Sequence, residues 1–272
     1  MRIAMTLKQT QAQAESIHSQ YLRKLESGEI TSPHFPLYAG RTYYTDPVVL
    51  GEGRQNAWAE AEDITGKDFS KRRSLIAGFK LETDGWGYPL NPFRRPWMPD
   101  GRGLLGGWGP NIAGDALITT EGPNGLEILL IQRQNGAWAM PGGFANGPEA
   151  PLVTATRELS EEVSVSMDTA RNWLKTAQII YQGYAPSARN TRNAWIETSV
   201  CHAHIPTSER DGISIKGADD AQAARWFPLN GQSIGELFEV HSHYVLMAAE
   251  RLVGLGKLEQ AEFRRMAERL GY

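Results

Sequence analysis

The pattern of apolar and polar residues divides the chain into an irregular first part and a regular second part. From about residue 100 onward, short apolar runs alternate with polar turns, which predicts strands over residues 115–120, 126–133, 177–184, 194–204 and 223–229. Apolar residues recur at helical spacing over residues 151–164, 240–255 and 258–270, which predicts three helices. This mixed order of strands and helices predicts an α/β fold.

The first part of the chain has a different composition. A polar helix is predicted over residues 7–28, and residues 32–100 are rich in Pro, Gly, Tyr and Trp with only short apolar runs. The turn-dense stretch 85–92 indicates a boundary. We therefore expect a smaller, loop-rich domain over residues 1–100 and a larger domain over residues 101–272.

The helix predicted over residues 151–164 carries an acidic face. At about 100° per residue, one stripe of this helix is apolar and faces the core: Leu152, Ala155, Leu159 and Val163. Glu158, Glu161 and Glu162 fall on a neighbouring face, where like charges three and four residues apart repel. A divalent cation removes that repulsion, and Mg²⁺ prefers carboxylate and phosphate oxygens. The face therefore predicts a magnesium site, with Mn²⁺ as a second candidate ion.

A glycine-rich turn precedes this helix. In Pro141-Gly142-Gly143 the backbone can approach other groups closely, and the carbonyl region of Gly143 can join a metal site. Arg157 lies four residues before Glu161 and is expected to hold that carboxylate by a charge-assisted contact. A solvated acidic helix face is the alternative interpretation, but it does not explain the fixed spacing of these residues.

The turn and helix together resemble the Nudix box. The matching positions are Gly143, Glu149, Arg157, Glu158, Leu159, Glu161, Glu162 and Val165. The chain departs from the box at Ser164, where the family has a glycine that ends the helix. The resemblance implies a Nudix α/β/α sandwich with a mixed sheet, and hydrolysis of a nucleoside diphosphate linked to another group.

Three further segments resemble an ADP-ribose pyrophosphatase subfamily of Nudix proteins: residues 101–111, residues 183–184 with 188–198, and residues 217–221 with 225–226. That subfamily includes an animal mitochondrial enzyme and the ADP-ribose-sensing domain of a melastatin-type cation channel. The resemblance implies Mg²⁺-dependent hydrolysis of ADP-ribose to AMP and ribose 5-phosphate, assisted by the N-terminal domain. Two alternatives stay open: a sensor with little turnover, and a hydrolase of NADH or a nucleotide sugar.

The resemblance also implies substrate contacts. Arg189 matches an arginine that contacts substrate in the relatives, and a salt bridge to Glu197 is its structural alternative. Asn111 is expected either to bind the ligand or to close a turn. Asn193 is a further candidate contact, with a turn or core role as the alternative.

The catalytic base has several candidates. Asp219 and Asp220 lie in the loop where some Nudix enzymes place their base, and Glu162 is an alternative. His241 is expected to make a helix-start contact or a hydrogen bond to substrate. Phe238 and Val240 replace polar residues of the relatives, so contacts to the terminal ribose are expected to differ.

Charge and cysteine content exclude other classes of protein. A net charge of −3 and a pI near 6.1 argue against a nucleic-acid-binding protein. The single cysteine, Cys201, excludes an internal disulfide and is expected to be a buried packing thiol. No apolar run suits a signal peptide or a membrane span, so we expect a cytoplasmic monomer or homodimer.

Overall fold

The computed structural model describes residues 43–96, 98–123, 125–211, 216–218, 221–230 and 237–269. The helix predicted over residues 7–28 lies outside these ranges. The chain forms two compact units, Met1–Ile112 with Gly183–Glu197, and Ala113–Gln182 with Thr198–Tyr272. The functional division into residues 1–100 and 101–272 stays a prediction.

The first unit contains short elements and long irregular connections. Its short elements are strands β1 (Tyr43–Thr45) and β2 (Asp100–Gly103), which pair in parallel, helices α1 (Pro47–Leu50) and α2 (Glu52–Gln55), and a 3₁₀ helix at Phe69–Lys71. Arg102 is fully buried, pairs with Glu62 and donates to the carbonyl oxygens of Glu60 and Gly106 at 2.8 and 2.7 Å. Such a buried charge is tolerated because acceptors surround it.

The second part of the chain is built on a seven-stranded sheet with the order β5-β4-β3-β8-β7, in which β6 pairs with β3 and β9 with β4. The strands are β3 (Gly109–Gly122), β4 (Gly125–Gln132), β5 (Trp138–Ala139), β6 (Gly142–Phe144), β7 (Gln178–Ala185), β8 (Ala194–Ile205) and β9 (Ala223–Pro228). All five predicted strands are present within a few residues, although β3 begins six residues earlier than predicted. The sequence did not predict that extension, because it contains Gly109, Pro110 and Asn111, which are residue types that favour turns.

Helices cover both faces of this sheet. They are α3 (Pro151–Val163), α4 (Met167–Leu174), α5 (Thr207–Asp211), α6 (His241–Gly254) and α7 (Gln260–Arg269). On β8, Cys201 and Ala203 pack in one core cluster with Leu159 of α3, whereas His202 between them contacts Arg251 of α6. Successive strand residues point to opposite faces, so α3 and α6 lie on opposite sides of the sheet. The predicted α/β sandwich is confirmed.

Two short helices, α4 and α5, were not predicted from the sequence. Ser166 begins α4 by accepting a hydrogen bond from the backbone of Thr169 at 3.0 Å, so its start signal was a single capping residue. None of the helices in the described ranges has both the length and the apolar character that a bilayer crossing requires.

The predicted burial of the central residues is mostly confirmed. Cys201 is buried, and burial together with nearby Asp115 raises the pKa of its thiol to about 12, as befits a packing residue. Ala155, Leu159 and Val163 are fully buried on α3. The prediction for Leu152 is wrong, since its side chain is 41% exposed. Helical periodicity gives a direction around the axis, but it does not say how far the covering surface extends along it.

Helix α3 ends in a strained residue. Ser164 adopts a left-handed conformation with φ 58° and ψ 34°, at the position where the Nudix box has glycine. A side chain with a β-carbon is disfavoured there, and the side chain of Ser164 is exposed. The expected helix-ending role of this position is therefore confirmed.

Ser164→Gly should stabilise the protein. Relief of the left-handed strain, less the extra chain entropy of glycine, predicts a gain of about 1 kcal/mol in the free energy of unfolding. Urea unfolding followed by circular dichroism measures it. Ser164→Ala is the matched control and should gain nothing, because alanine keeps the β-carbon. A glycine variant no more stable than the alanine variant would contradict this account.

The buried histidine His202 links β3, β8 and α6. Arg251 donates to Nδ1 of His202 at 3.1 Å, so His202 carries its proton on Nε2 and donates to Thr119 at 2.9 Å. Burial, together with the charges of Arg251 and His204, lowers the pKa of His202 to about 3. Burial also lowers the pKa of His243, to about 4. Both rings are therefore neutral in the folded protein at neutral pH.

Acid should weaken the fold through these rings. A depressed histidine pKa means that the unfolded chain binds protons first, so stability falls as pH drops below about 6.5. Each such histidine contributes a slope of up to about 1.4 kcal/mol per pH unit in this range. His202→Gln should reduce the slope of the unfolding free energy between about pH 6 and 4 by one histidine's share. An unchanged slope would show that His202 does not titrate on unfolding.

Candidate active site

The glycine-rich turn lies between two short strands and is held against β3. Ala116 of β3 donates from its backbone to the carbonyl oxygen of Pro141 at 2.8 Å. Strand β6 then pairs antiparallel with β3, which places Gly142 opposite Asp115 and Gly143 opposite Gly114. The sheet therefore sets the position of the turn relative to helix α3.

Both glycines of the turn are needed for close packing. A β-carbon on Gly142 would overlap the carboxylate of Asp115 and lie 2.9 Å from its Cα atom. A β-carbon on Gly143 would overlap the carboxylate of Glu158. The predicted close approach is thus confirmed, and the group that approaches Gly143 is one of the predicted acidic residues.

Glu162 joins helix α3 to the turn. Its side chain is 2% exposed, and its Oε2 atom accepts a hydrogen bond from the backbone N–H of Gly142 at 2.8 Å. The predicted acidic face is therefore graded in depth: Glu162 is buried, the side chain of Glu158 is 12% exposed and that of Glu161 is 43% exposed. The three carboxylates lead from the base of the turn outward to solvent.

Arg157 lies among the remaining carboxylates. Its guanidinium donates to Glu158 at 2.8 Å, to Glu161 at 2.9 Å and to Glu149 at 3.2 Å. It also donates to the carbonyl oxygen of Phe144, directly after the glycines, at 2.9 Å. The predicted contact between Arg157 and Glu161 is present. Sequence reasoning did not assign a site role to Glu149, although its spacing in the motif was a signal.

These contacts fix the charge state of two members. Burial alone would raise the pKa of Glu149, but hydrogen bonds from Arg157 and from the backbone of Asn146 outweigh it and hold that pKa below the usual range. Burial likewise opposes the charge on Arg157, yet the carboxylates of Glu149, Glu158 and Glu161 raise its pKa. The cluster therefore contains a permanent cation among acidic groups.

The donor set suits a hard divalent cation, because it offers several carboxylates of one helix beside a glycine backbone. Within the described ranges, however, no three His, Cys, Asp or Glu side chains are arranged to hold a metal ion. Glu158 and Glu161 accept hydrogen bonds from Arg157, and Glu162 accepts one from the backbone of Gly142. Metal binding would therefore require these side chains to turn.

The remaining predicted contacts lie elsewhere. Three of them, Arg189, Asn111 and Asn193, belong to the first unit. Asn111 closes a turn, since its side chain accepts from the backbone of Gly107 at 2.8 Å and donates to its carbonyl oxygen at 2.9 Å. Asn193 is buried and accepts from the backbone of Gly101 at 2.9 Å. Arg189 donates from Nε to Ser187 at 3.2 Å. Their roles in substrate binding stay predictions.

The remaining acidic residues are the predicted Asp219 and Asp220 and the unpredicted Asp115. Asp219 and Asp220 lie outside the described residues, so their role as base stays a prediction. Sequence reasoning missed Asp115, which is 9% exposed, accepts a hydrogen bond from Thr198 and packs on Gly142. Asp115 and Gly142 are 27 positions apart, so no local spacing could have revealed this contact.

His241 begins helix α6 and contacts the strand that leads into the turn. Its Nδ1 atom accepts from the backbone N–H of Met140 at 3.1 Å. The helix-start position predicted for this residue is confirmed. A hydrogen bond to substrate stays a prediction.

The two glycines should differ in their tolerance of alanine. Gly142→Ala should lower the free energy of unfolding by about 1–3 kcal/mol, because the new methyl group meets the backbone of Asp115. Gly143→Ala should cost less than about 1 kcal/mol, because it meets only the end of the Glu158 side chain, which can rotate away. Denaturant unfolding of both variants measures the difference. Equal losses would contradict the described packing.

Comparison with known proteins agrees with this geometry. Residues 112–244 match the NUDIX domain family. The chain is 38% identical over 223 residues to a Caenorhabditis elegans protein assigned as nudix hydrolase 6, covering 76% of this chain and 82% of that protein. It is 32% identical to the mitochondrial ADP-ribose pyrophosphatase of Rattus norvegicus, covering 66% of this chain but only 58% of that enzyme.

A further relative is a cation channel. The chain is 34% identical to the transient receptor potential cation channel subfamily M member-like 2 of Nematostella vectensis, over 53% of this chain and 11% of the channel. The acidic helix, the glycine turn and the long match to a nudix hydrolase agree. The chain belongs to the Nudix hydrolase family.

Proposed function

We propose that the protein hydrolyses the diphosphate bond of ADP-ribose to AMP and ribose 5-phosphate, with Mg²⁺ or Mn²⁺ bound at the carboxylates of α3. The observation that carries the proposal is the packing of Glu158 and Glu162 of one helix on the glycine turn, with Glu161 joined to Glu158 through Arg157. Similarity to the rat mitochondrial ADP-ribose pyrophosphatase supports the choice of substrate. Metal dependence is general to the family.

The charges around the turn favour a cationic ligand. Glu149, Glu158 and Glu161 all contact the single guanidinium of Arg157, and Glu162 lies one helical turn away on the same helix. Four carboxylates beside one guanidinium repel one another, and a divalent ion would relieve that repulsion. Such an ion would then attract the two phosphates of a diphosphate substrate.

In the proposed reaction, a water oxygen attacks one phosphorus atom and the bond from that phosphorus to the bridging oxygen breaks. The bound metal would polarise the phosphoryl oxygens and offset charge on the leaving phosphate. The expected ligands are Glu158, Glu161, Glu162 and the carbonyl region of Gly143. Arg157 orients Glu158 and Glu161, and the hydrogen bond from Gly142 orients Glu162.

A carboxylate should take the proton of the attacking water. Glu162 is one candidate, because it is buried at the turn. Asp219 and Asp220 are the others. Their candidacy is supported by Ala218, which donates from its backbone to the carbonyl oxygen of Glu162 at 3.2 Å, so the chain enters that segment beside the end of α3.

Two other functions remain as alternatives. The channel relative is the reason to keep an ADP-ribose sensor with little turnover. The complete set of Glu158, Glu161 and Glu162 favours an enzyme. A hydrolase of NADH or a nucleotide sugar would use the same carboxylates with another substrate. Location in the cytoplasm and a monomeric or homodimeric state stay predictions.

Loss of one carboxylate should abolish most turnover. With ADP-ribose and Mg²⁺, Glu161→Gln and Glu162→Gln should each lower kcat by about 10²–10³-fold, because several kcal/mol of charge stabilisation are lost. AMP release measured by chromatography follows the reaction. Glu250→Gln, an exposed glutamate on α6, is the matched control and should retain full activity.

The same assay separates the alternatives. Tight binding of ADP-ribose by calorimetry with no AMP released by the unmodified protein would favour the sensor. Rapid cleavage of NADH or a nucleotide sugar with ADP-ribose untouched would favour another substrate. Retention of full activity in both glutamine variants would reject the proposed metal site.

A further inference from the structure

We propose that His241 is a positioning residue for the reaction: it holds the glycine-rich turn in place through the backbone of Met140. This inference rests on the proposed function, because the turn matters through the carboxylates that pack on it. The sequence predicts either a helix-start contact or a hydrogen bond to substrate for His241. In the structure, Nδ1 of His241 contacts the protein's own backbone.

The start of α6 is joined to the strand before the turn at two points. Phe238 donates from its backbone to the carbonyl oxygen of Trp138 at 2.8 Å, and Leu237 forms a parallel bridge with Trp138. Met140, two residues after Trp138, donates to Nδ1 of His241, three residues after Phe238, at 3.1 Å. Beyond the bridge, the side chain of His241 therefore accepts the hydrogen bond of Met140 that the backbone of a neighbouring strand would otherwise accept.

Met140 is the first of three successive anchored residues. Its N–H donates to His241 of α6, the carbonyl oxygen of Pro141 accepts from Ala116 of β3, and the N–H of Gly142 donates to Glu162 of α3. Three different elements thus fix Met140 and the first two residues of the turn, one residue each. Gly143, on which Glu158 packs, follows directly. Release of the first anchor should let Gly142 and Gly143 shift relative to the carboxylates.

Imidazole is suited to this position. Nδ1 must accept from Met140, so the neutral ring carries its proton on Nε2. The ring lies edge-on to Phe238, with centroids 5.8 Å apart, and 6.2 Å from the ring of Tyr244. These aromatic neighbours fix the orientation of the ring. An asparagine could place its carbonyl oxygen near the position of Nδ1, whereas a leucine of similar bulk would offer no acceptor.

The test compares His241→Leu with His241→Asn, and Ser242→Ala on the same helical turn is the control. Hydrogen–deuterium exchange of peptides spanning residues 138–144 tests whether His241 holds this segment, independently of catalytic turnover. His241→Leu should speed exchange in this segment by about tenfold or more, while exchange in β7 stays unchanged. His241→Asn should restore slow exchange, and Ser242→Ala should not alter it.

Kinetics with ADP-ribose and Mg²⁺ test whether loss of this hydrogen bond affects the reaction. His241→Leu should lower kcat by about 10- to 100-fold through misplacement of the turn, with KM changed less than about threefold. His241→Asn should recover most of kcat. A merely structural role would lower thermal stability without this separation of kcat from KM.

Three outcomes would overturn the inference. Unchanged exchange in His241→Leu would show that the anchor is absent. Faster exchange with full kcat would show that the anchor does not serve the reaction. A raised KM with unchanged kcat, not rescued by asparagine, would assign His241 to substrate contact instead. If the unmodified protein releases no AMP, the proposed function fails, while the exchange experiment still decides whether His241 holds the turn.

Discussion

The hydrogen bond from the backbone of Gly142 to the buried carboxylate of Glu162 fixes the acidic helix to the glycine turn. A second hydrogen bond, from Arg157 of α3 to the carbonyl oxygen of Phe144, reinforces this connection from the more exposed side. The bond to Glu162 also satisfies a carboxylate that is 2% exposed, which would otherwise be costly to bury. One interaction therefore serves both the fold and the proposed chemistry.

Around this bond, the protein balances opposite charges at different depths. Arg157 contacts Glu149, Glu158 and Glu161, whose side chains are 20%, 12% and 43% exposed. Glu162 is held by the backbone, whereas Glu158 and Glu161 are held by a side chain that a divalent cation could replace.

Packing behind the sheet gives the turn a firm support. Helix α3 buries Ala155, Leu159 and Val163 fully against one face. Helix α6 covers the other face, where its Arg251 donates to His202 of β8. Helix α6 then presents His241 to Met140 at its first residue. Each helix is fixed by its own core packing. A small displacement of the turn should therefore lower activity before it lowers the free energy of unfolding.

The sequence by itself determined the sandwich, its longer strands and helices, and the acidic motif, because these follow from periodicity and fixed spacing along a single element. It also showed that Ser164 ends α3, since the helix-ending position is local. Only the tertiary structure decided the exposure of Leu152, the packing of Asp115 on Gly142 and the bond between His241 and Met140. The last two join segments that are distant in the sequence, and the exposure of Leu152 depends on how far neighbouring residues cover α3. Local spacing encodes neither property.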